Sequence, residues 1–386
     1  MGAEAEPEQI RLVCVGNDEI ATSDHVRKWM ETQPLEDIEV TAQFDVELPS
    51  ALEILENGDA DLIAISASNW YLCKGAPDTM VAAALPRRDE NHILVADDRI
   101  AYLPHKSIIL ANNRLQRRQL RRYRPDFRVL DPVAFADMIG RKLPDDSGLA
   151  LQAWMEDLRA TKIIGGYVSE RHLFDIANID SRRHKLMTDS RENSARFLPS
   201  PLNGLTLLVS REGFPMSLSE RIGDIESLTA WSCEKIILEQ IDPELHDRVG
   251  LIVRHRQVPS LLNQAEQEKD LLRSTALTNP EGEIISPPSY AHGVKSWKYD
   301  PSKLSGVSPE EMWLRVGTNQ MVETIIETID RSGNRTLLLE RLNWKDEDSV
   351  NVRLIAREWE EMLALVTKEH AEDIRLGPAR PAFLDL

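Results

Sequence analysis

Arg114, Arg117, Arg118, Arg121 and Arg122 recur at intervals of three and four, the spacing that places side chains on one face of a helix. Asn112 and Asn113 stand just ahead of them, where a short amide can accept from the first free backbone N–H groups and cap the helix. A helix N-terminus attracts anions, and guanidinium forks match carboxylate and phosphate. Such a patch could hold an acidic small molecule, each charge-assisted hydrogen bond contributing about 1.5–3 kcal/mol. The alternative is a solvated basic face beside acidic neighbours. Further arginines lie at Arg87 and Arg88, in a turn that also carries Asp89, and at Arg254 and Arg256 around His255. Proton transfer could fall to His255, Asp89 or His184, and Ser66 or Ser68, followed by Asn69, could orient a carbonyl. A lone histidine beside arginines is more often structural. The sequence shows no catalytic-triad spacing, P-loop or glycine-rich dinucleotide turn, and no histidine pair at metal-ligand spacing.

The chain that must position these groups has 386 residues, enough for two or three domains. Its formal charge is −18, with 46 basic against 64 acidic residues. Bulk attraction to nucleic acid is therefore not expected, and clustered arginines stand out. Three widely spaced cysteines, Cys14, Cys73 and Cys233, fit a reducing compartment and are expected as buried thiols. The acidic start MGAEAEPEQ has neither signal nor transit character, and no apolar run reaches the roughly 20 residues of a membrane span. A cytoplasmic protein is expected.

Buried strands at 10–16 and 61–66, an alternating strand at 39–46, and helices from about 23 to 32 and 49 to 57 give the rhythm of an α/β domain with a mostly parallel sheet. Ligands of such domains sit beyond the carboxyl ends of the strands, which marks Gly16 to Asp18 and Ser66 to Asn69 as rim positions. A second α/β unit begins near Leu103, with the arginine helix, strands at 127–130 and 162–166, and helical turns at 169–177. After an apolar strand at 205–211, a long helix is expected at 219–241, a strand at 248–253, a hairpin around NPEG (279–282), and a helix at 310–331. Beyond Gly333, a short strand at 336–339 and an amphipathic helix at 350–367 carrying Trp359 either dock on the preceding domain or form a dimer or partner contact.

Several stretches resemble the porphobilinogen deaminases, also called hydroxymethylbilane synthases. They are GDADLIAIS (58–66), LPRRDENHILV (85–95), LPHKSIILANNRLQRRQLRRYRPDFRV (103–129), LPSPLNGLTLLVSR (198–211), RQVPSLL (256–262) and DLLRSTALTNPEGEII (270–285). The resemblance runs from about Ile10 to Gly333 in family order. It implies two periplasmic-binding-protein-like α/β domains forming a cleft, plus a smaller α+β third domain and a C-terminal extension. The implied boundaries are 10–99 with 199–216, 100–198, 217–333 and 334–386. The family's catalytic positions are altered. Its His-Ser-Leu-Lys-Asp motif falls on Ile65, Ser66, Ala67, Ser68 and Asn69, and an amide cannot serve as the acid or base. The cysteine that carries the family's dipyrromethane cofactor falls on Arg256, its paired arginines on Leu115 and Gln116, and its early arginine near Val15 and Gly16. No dipyrromethane and no tetrapyrrole synthesis are expected.

What the cleft retains is basic. The first expectation is a transferase acting on an anionic substrate in a specialised, natural-product pathway, with an aminoacyl-tRNA donor as one form of it. Substrate contacts would come from Arg87, Arg88, Asn112, Asn113, Arg114, Arg117, Arg118, Arg254 and Arg256. Chemistry would fall to Ser66, Ser68, Asn69, Asp89 and His255. The alternative is a non-catalytic protein of binding or regulation that closes on an anionic metabolite. A monomer, or a homodimer through the C-terminal extension, fits either.

Overall fold

The computed structural model describes residues 7–16, 20–32, 37–144, 148–188, 196–279, 282, 284, 320–344 and 348–365. Strand β1 (Glu8–Val15) pairs in parallel with β2 (Ile38–Val46) and β3 (Leu62–Ser66), through helices α1 (Ile20–Thr32) and α2 (Leu48–Asn57). Gly58 ends α2 in the left-handed conformation, as helix stops commonly do. Helix α3 (Ala67–Leu72) and strand β4 (Thr79–Ala84) follow. Strand β3 shows why the sheet needs helices on both sides: Leu62 and Ala64 enter one apolar cluster, Ile63 and Ile65 another.

The chain then crosses to a second sheet. Its elements are β5 (His92–Ala96), β6 (Ile108–Leu110), α4 (Arg114–Tyr123), β7 (Arg128–Leu130), α5 (Pro132–Ile139), α6 (Leu149–Ala160), β8 (Gly166–Glu170), α7 (Arg171–Ile176) and β9 (Arg183–Lys185). It returns through β10 (Thr206–Arg211), which inserts antiparallel between β3 and β4. The sheet orders are β2-β1-β3-β10-β4 and β7-β6-β8-β5-β9. Each lobe thus reads second, first, third, a strand that has crossed over, and fourth. Because β5 belongs to the second sheet, the first crossing lies at 85–91 and not at 99. Strand β8 starts at 166 and not at 162, because Lys162 turns in the left-handed region to close α6.

Helix α8 (Met216–Ile222) packs on β4 and buries Leu218 and Ile222 in the first lobe's own core. The third domain contains α9 (Ile225–Gln240), β11 (Val249–Gln257), α10 (Val258–Glu268), α11 (Leu271–Ala276), β12 (Gln320–Ile329), β13 (Thr336–Trp344) and α12 (Asp348–Leu365). The helix expected at 219–241 is broken at Gly223, and Asp224 restarts it by accepting from the Ser227 N–H at 2.8 Å. Residues 271–276 form a helix capped by Asp270 and not a hairpin arm, with a single bridge from Thr278 to Ile284. The helix expected at 310–331 is corrected over 320–329, which is β12; 310–319 lie outside the described residues. QMVETIIETI is rich in β-branched residues, which favour strand geometry. Residues 334–365 complete this domain with β13 and α12, so they are not a separate extension.

The sheet β11-β12-β13 is antiparallel throughout, and its two faces differ. Val253, Val322, Ile326 and Leu339 join one cluster with Trp231, Ile237 and Trp359, and that cluster also holds Val13, Ile63, Ile65, Leu207 and Val209 of the first lobe. First lobe and third domain therefore share a core. The second lobe keeps its own clusters, around Leu94, Ile109 and Leu120 and around Val95, Phe135 and Tyr167. The other face of the third sheet carries Glu323, Ile325 and Glu327 and looks toward α4. Cys14 and Cys233 are buried as expected, and burial pushes the Cys14 thiol up to about 12. Cys73 corrects that expectation, since it is exposed where α3 ends.

Candidate functional site

The carboxyl ends of the two sheets meet across the crossings. In the first lobe Ser66 stands opposite Thr206; in the second, His92 stands opposite Glu170 and Ile93 opposite Lys185. The two crossings run side by side as a ribbon. Arg88 N donates to Gly204 O at 3.0 Å, and Asn203 Nδ2 donates to Glu90 O at 3.0 Å. Gly204 has φ +78°, and a Cβ there would come within 3.0 Å of the Arg88 carbonyl oxygen, so only glycine fits.

A cluster of titratable side chains lies where the lobes meet. His25 of α1 places Nδ1 2.9 Å from Thr206 Oγ1 and makes a hydrogen bond with the Pro86 carbonyl. Arg88 Nη1 donates to the Ala21 carbonyl at 2.9 Å, and α1 rests against α7. At the start of α7, His172 Nε2 is 2.9 Å from Glu170 Oε2. Asp89 receives Arg171 at 2.8 Å and Lys185 at 3.1 Å. Burial opposes ionisation of Asp89, but hydrogen bonds from Asn91, Lys185 and Arg171 overcome it and hold the carboxyl at about 2. Glu170 is likewise held at about 2 against burial, by His172, His92 and Arg88. Burial, with the charges of Arg88 and His172, pushes His25 down to about 3.

His25 makes the stability of this seam pH-dependent. Its folded value lies below the unfolded value near 6.5. Its contribution is therefore complete above about pH 6.5 and is lost as pH falls toward 3, by roughly 2–4 kcal/mol after discounting for half burial. Asp89 and Glu170, with folded values depressed, lose theirs only below about pH 4. A His25→Gln variant should therefore show a flatter urea midpoint than wild type between pH 6.5 and 4.5. Parallel profiles would contradict the assignment.

Of the residues singled out by sequence, the fold brings one group to the facing ends. Ser66 caps α3 by accepting from Asn69 N at 3.3 Å; Ser68 is exposed and Asn69 half-buried beside it. Asn113 caps α4 by accepting from Leu115 N at 2.7 Å and donates to Ser200 at 2.8 Å. Asn112 precedes it, and Arg114 reaches Asp247 at 3.3 Å. Arg88 and Asp89 lie in the crossing. The other group is engaged inside the protein. Arg87 binds Glu234 at 2.6 Å. Arg117, 2% exposed, binds Asp131 at 3.0 Å, and Arg118, 1% exposed, donates to the Ile329 carbonyl at 2.8 Å. Arg254 and Arg256 reach the buried Glu323 at 2.6 and 3.2 Å. His255 is half-buried on the opposite face of β11, and His184 sits on β9 opposite Leu94.

Beyond its first residue, helix α4 is thus neither a ligand surface nor a solvated basic face; it is buried from Leu115 to Arg121. Gln119 Nε2 donates to Glu327 at 3.1 Å, Arg122 donates to Glu327 at 2.6 Å, and Arg121 donates to the Arg331 carbonyl at 3.1 Å. Regular arginine spacing signalled a face, and that face docks on the acidic side of β12. The position that carries the deaminase cofactor does not fit that group: Arg256 stands there, and its guanidinium is held by Glu323 and, at 2.7 Å, by Gln264. Sequence reasoning missed His25, Glu170 and His172. A rule for strand ends could have found Glu170 and His172, had β8 been placed four residues later.

No protein-family model matches the chain, and no curated protein matches it. Three solved structures illustrate what it is similar to. An ABC transporter from Parabacteroides distasonis shares 13% identity over 72% of this chain and 83% of its own, with a TM-score of 0.34. The periplasmic aliphatic sulphonate binding protein SsuA from Escherichia coli shares 13% identity over 96% and 92%, at 0.31. The ligand-binding component of an ABC-type import system from Staphylococcus aureus, with zinc bound, shares 12% over 62% and 77%, at 0.28. At these scores the likenesses carry no argument about the site. Among the described residues, no His, Cys, Asp or Glu group could hold a metal ion, and no helix is long and apolar enough to cross a membrane.

Proposed function

We propose that the cleft between the two lobes closes on a small anionic metabolite, and that the protein acts by binding and not by catalysis. The observation that carries this is the facing arrangement of the sheets: two lobes of one strand order, joined by a paired crossing, turn their carboxyl ends toward each other. Ligands of open α/β sheets sit at those ends. The residues we assign to the ligand are Arg88 and Arg114 for charge, with Ser66, Ser68, Asn69, Asn112 and Asn113 as polar contacts around them. Arg171 and Lys185 add positive potential.

The seam supports binding over acid–base chemistry. Asp89 and Glu170 are held at about 2 and His25 at about 3, whereas a general acid or base works best near the operating pH. The α4 arginines Arg117, Arg118 and Arg121 are buried, which weighs against their following the phosphates of a tRNA donor. Mass spectrometry of the purified full chain tests the proposal. Under denaturing conditions the polypeptide should be unmodified, while native conditions should show a released small acid bound one to one, or room for one on titration with dicarboxylates, phosphates and sulfonates. A covalent adduct, or turnover of such an acid into a new product, would contradict it.

A further inference from the structure

The two lobes are attached to the third domain in different ways. The first lobe joins it through one continuous apolar cluster, running from Val13, Ile63 and Val209 to Trp231, Ile326 and Trp359. The second lobe meets it through α4, and that contact is mostly polar. Glu327, 1% exposed, receives Gln119 and Arg122; Arg118 and Arg121 donate to the carbonyls of Ile329 and Arg331; Arg196 pairs with Glu340 at 2.7 Å. The apolar part of this seam is the small cluster of Leu198, Ile252 and Ile325, with Leu115 close to Gly250. The backbones approach closely: Gly333, at φ +80°, would place a Cβ 2.7 Å from the Arg122 nitrogen.

We propose that the second lobe swings as a unit against a rigid body made of the first lobe and the third domain, and that the contact of α4 with β12 is the latch that sets how far the cleft stands open. A shared apolar core cannot slide without opening cavities. Polar pairs at a seam can exchange their partners for water at small net cost, so this joint opens before the other. The paired crossings at 85–91 and 197–205 are short segments that can absorb the rotation, as hinges do. The consequence for affinity rests on the proposed binding function: apparent Kd scales inversely with the fraction of molecules able to close. The motion itself does not depend on that function.

The test reads distances in the full chain without ligand, so its failure is separate from failure of the binding proposal. With Cys73→Ser as background, spin labels are placed by Glu53→Cys in the first lobe, Met138→Cys in the second and Arg353→Cys in the third domain, all exposed positions. Pulsed dipolar spectroscopy then compares wild type with Glu327→Gln. The distance between 53 and 138 should shift or broaden by more than about 2 Å, the scale of a genuine domain rearrangement, while that between 53 and 353 stays constant. Arg122→Gln, which breaks the same latch from its more accessible side, should act alike if Glu327→Gln folds poorly by circular dichroism. Unchanged distances in a folded latch variant, or equal movement of both pairs, would overturn the proposal.

Discussion

Replacement of Glu234 by alanine should lower stability by about 3–5 kcal/mol, the cost of leaving a buried charge without its partner. Glu234, on α9, is 0% exposed and accepts from four donors. Arg87 reaches its two oxygens at 2.6 and 3.4 Å, the Leu202 N–H at 2.6 Å, and the Val253 N–H at 3.1 Å. Those donors come from the outward crossing, the returning crossing and β11, so a single carboxylate ties the hinge to the third domain. Alanine would leave two buried N–H groups unsatisfied and the Arg87 guanidinium without its counter-charge. Glu234→Gln keeps one carbonyl oxygen and should cost less, about 1–3 kcal/mol. Urea unfolding with its slope constrained gives the comparison. A loss below about 1 kcal/mol for the alanine variant would mean that water replaces the carboxylate and that the pin is not structural.

Trp359→Ala should be comparably severe, at about 3–5 kcal/mol for a large core aromatic. Trp359 is 0% exposed on α12 and belongs to the cluster shared by the first lobe and the third domain. Truncation after Gly333 would remove β13 as well and should abolish cooperative folding, because the β12 strand would lose its hydrogen-bonded neighbour. Melting followed by near-ultraviolet circular dichroism distinguishes these outcomes. A truncated chain that still melts cooperatively would show that residues 334–365 are an appendage after all.

How much of this was legible depended on the range of the signal. The first lobe was readable because its strands are short buried runs and its helices are locally punctuated, Gly58 being one stop. The crossing strands were harder, since β5 and β10 each belong to a sheet whose other members lie far off in sequence. β12 was misread because QMVETIIETI is nearly all buried. With both faces covered, neither a two-residue nor a 3.6-residue period stands out. The arginine helix was located correctly and its spacing did mark a face. Its acidic partner, however, is Glu327, on one side of a strand about two hundred positions downstream. No local pattern links the two, and clustered arginines on an acidic chain look the same whether they await a ligand or a neighbouring sheet. The seam of His25, Glu170 and His172 is likewise a product of tertiary contact between α1 and α7.

The most direct test of the central claim is anion binding by calorimetry in two variants, Arg88→Met and Arg118→Met, below their unfolding transitions. Inorganic phosphate, glutarate and methanesulfonate serve as probes of the three ligand classes. If α4 is internal architecture and the cleft holds the ligand, whichever probe wild type binds should bind Arg118→Met within about threefold. Arg88→Met should lose at least about tenfold, the loss of one charge-assisted hydrogen bond. Loss of binding in folded Arg118→Met with full affinity in Arg88→Met would contradict the account and return the arginine helix to the ligand.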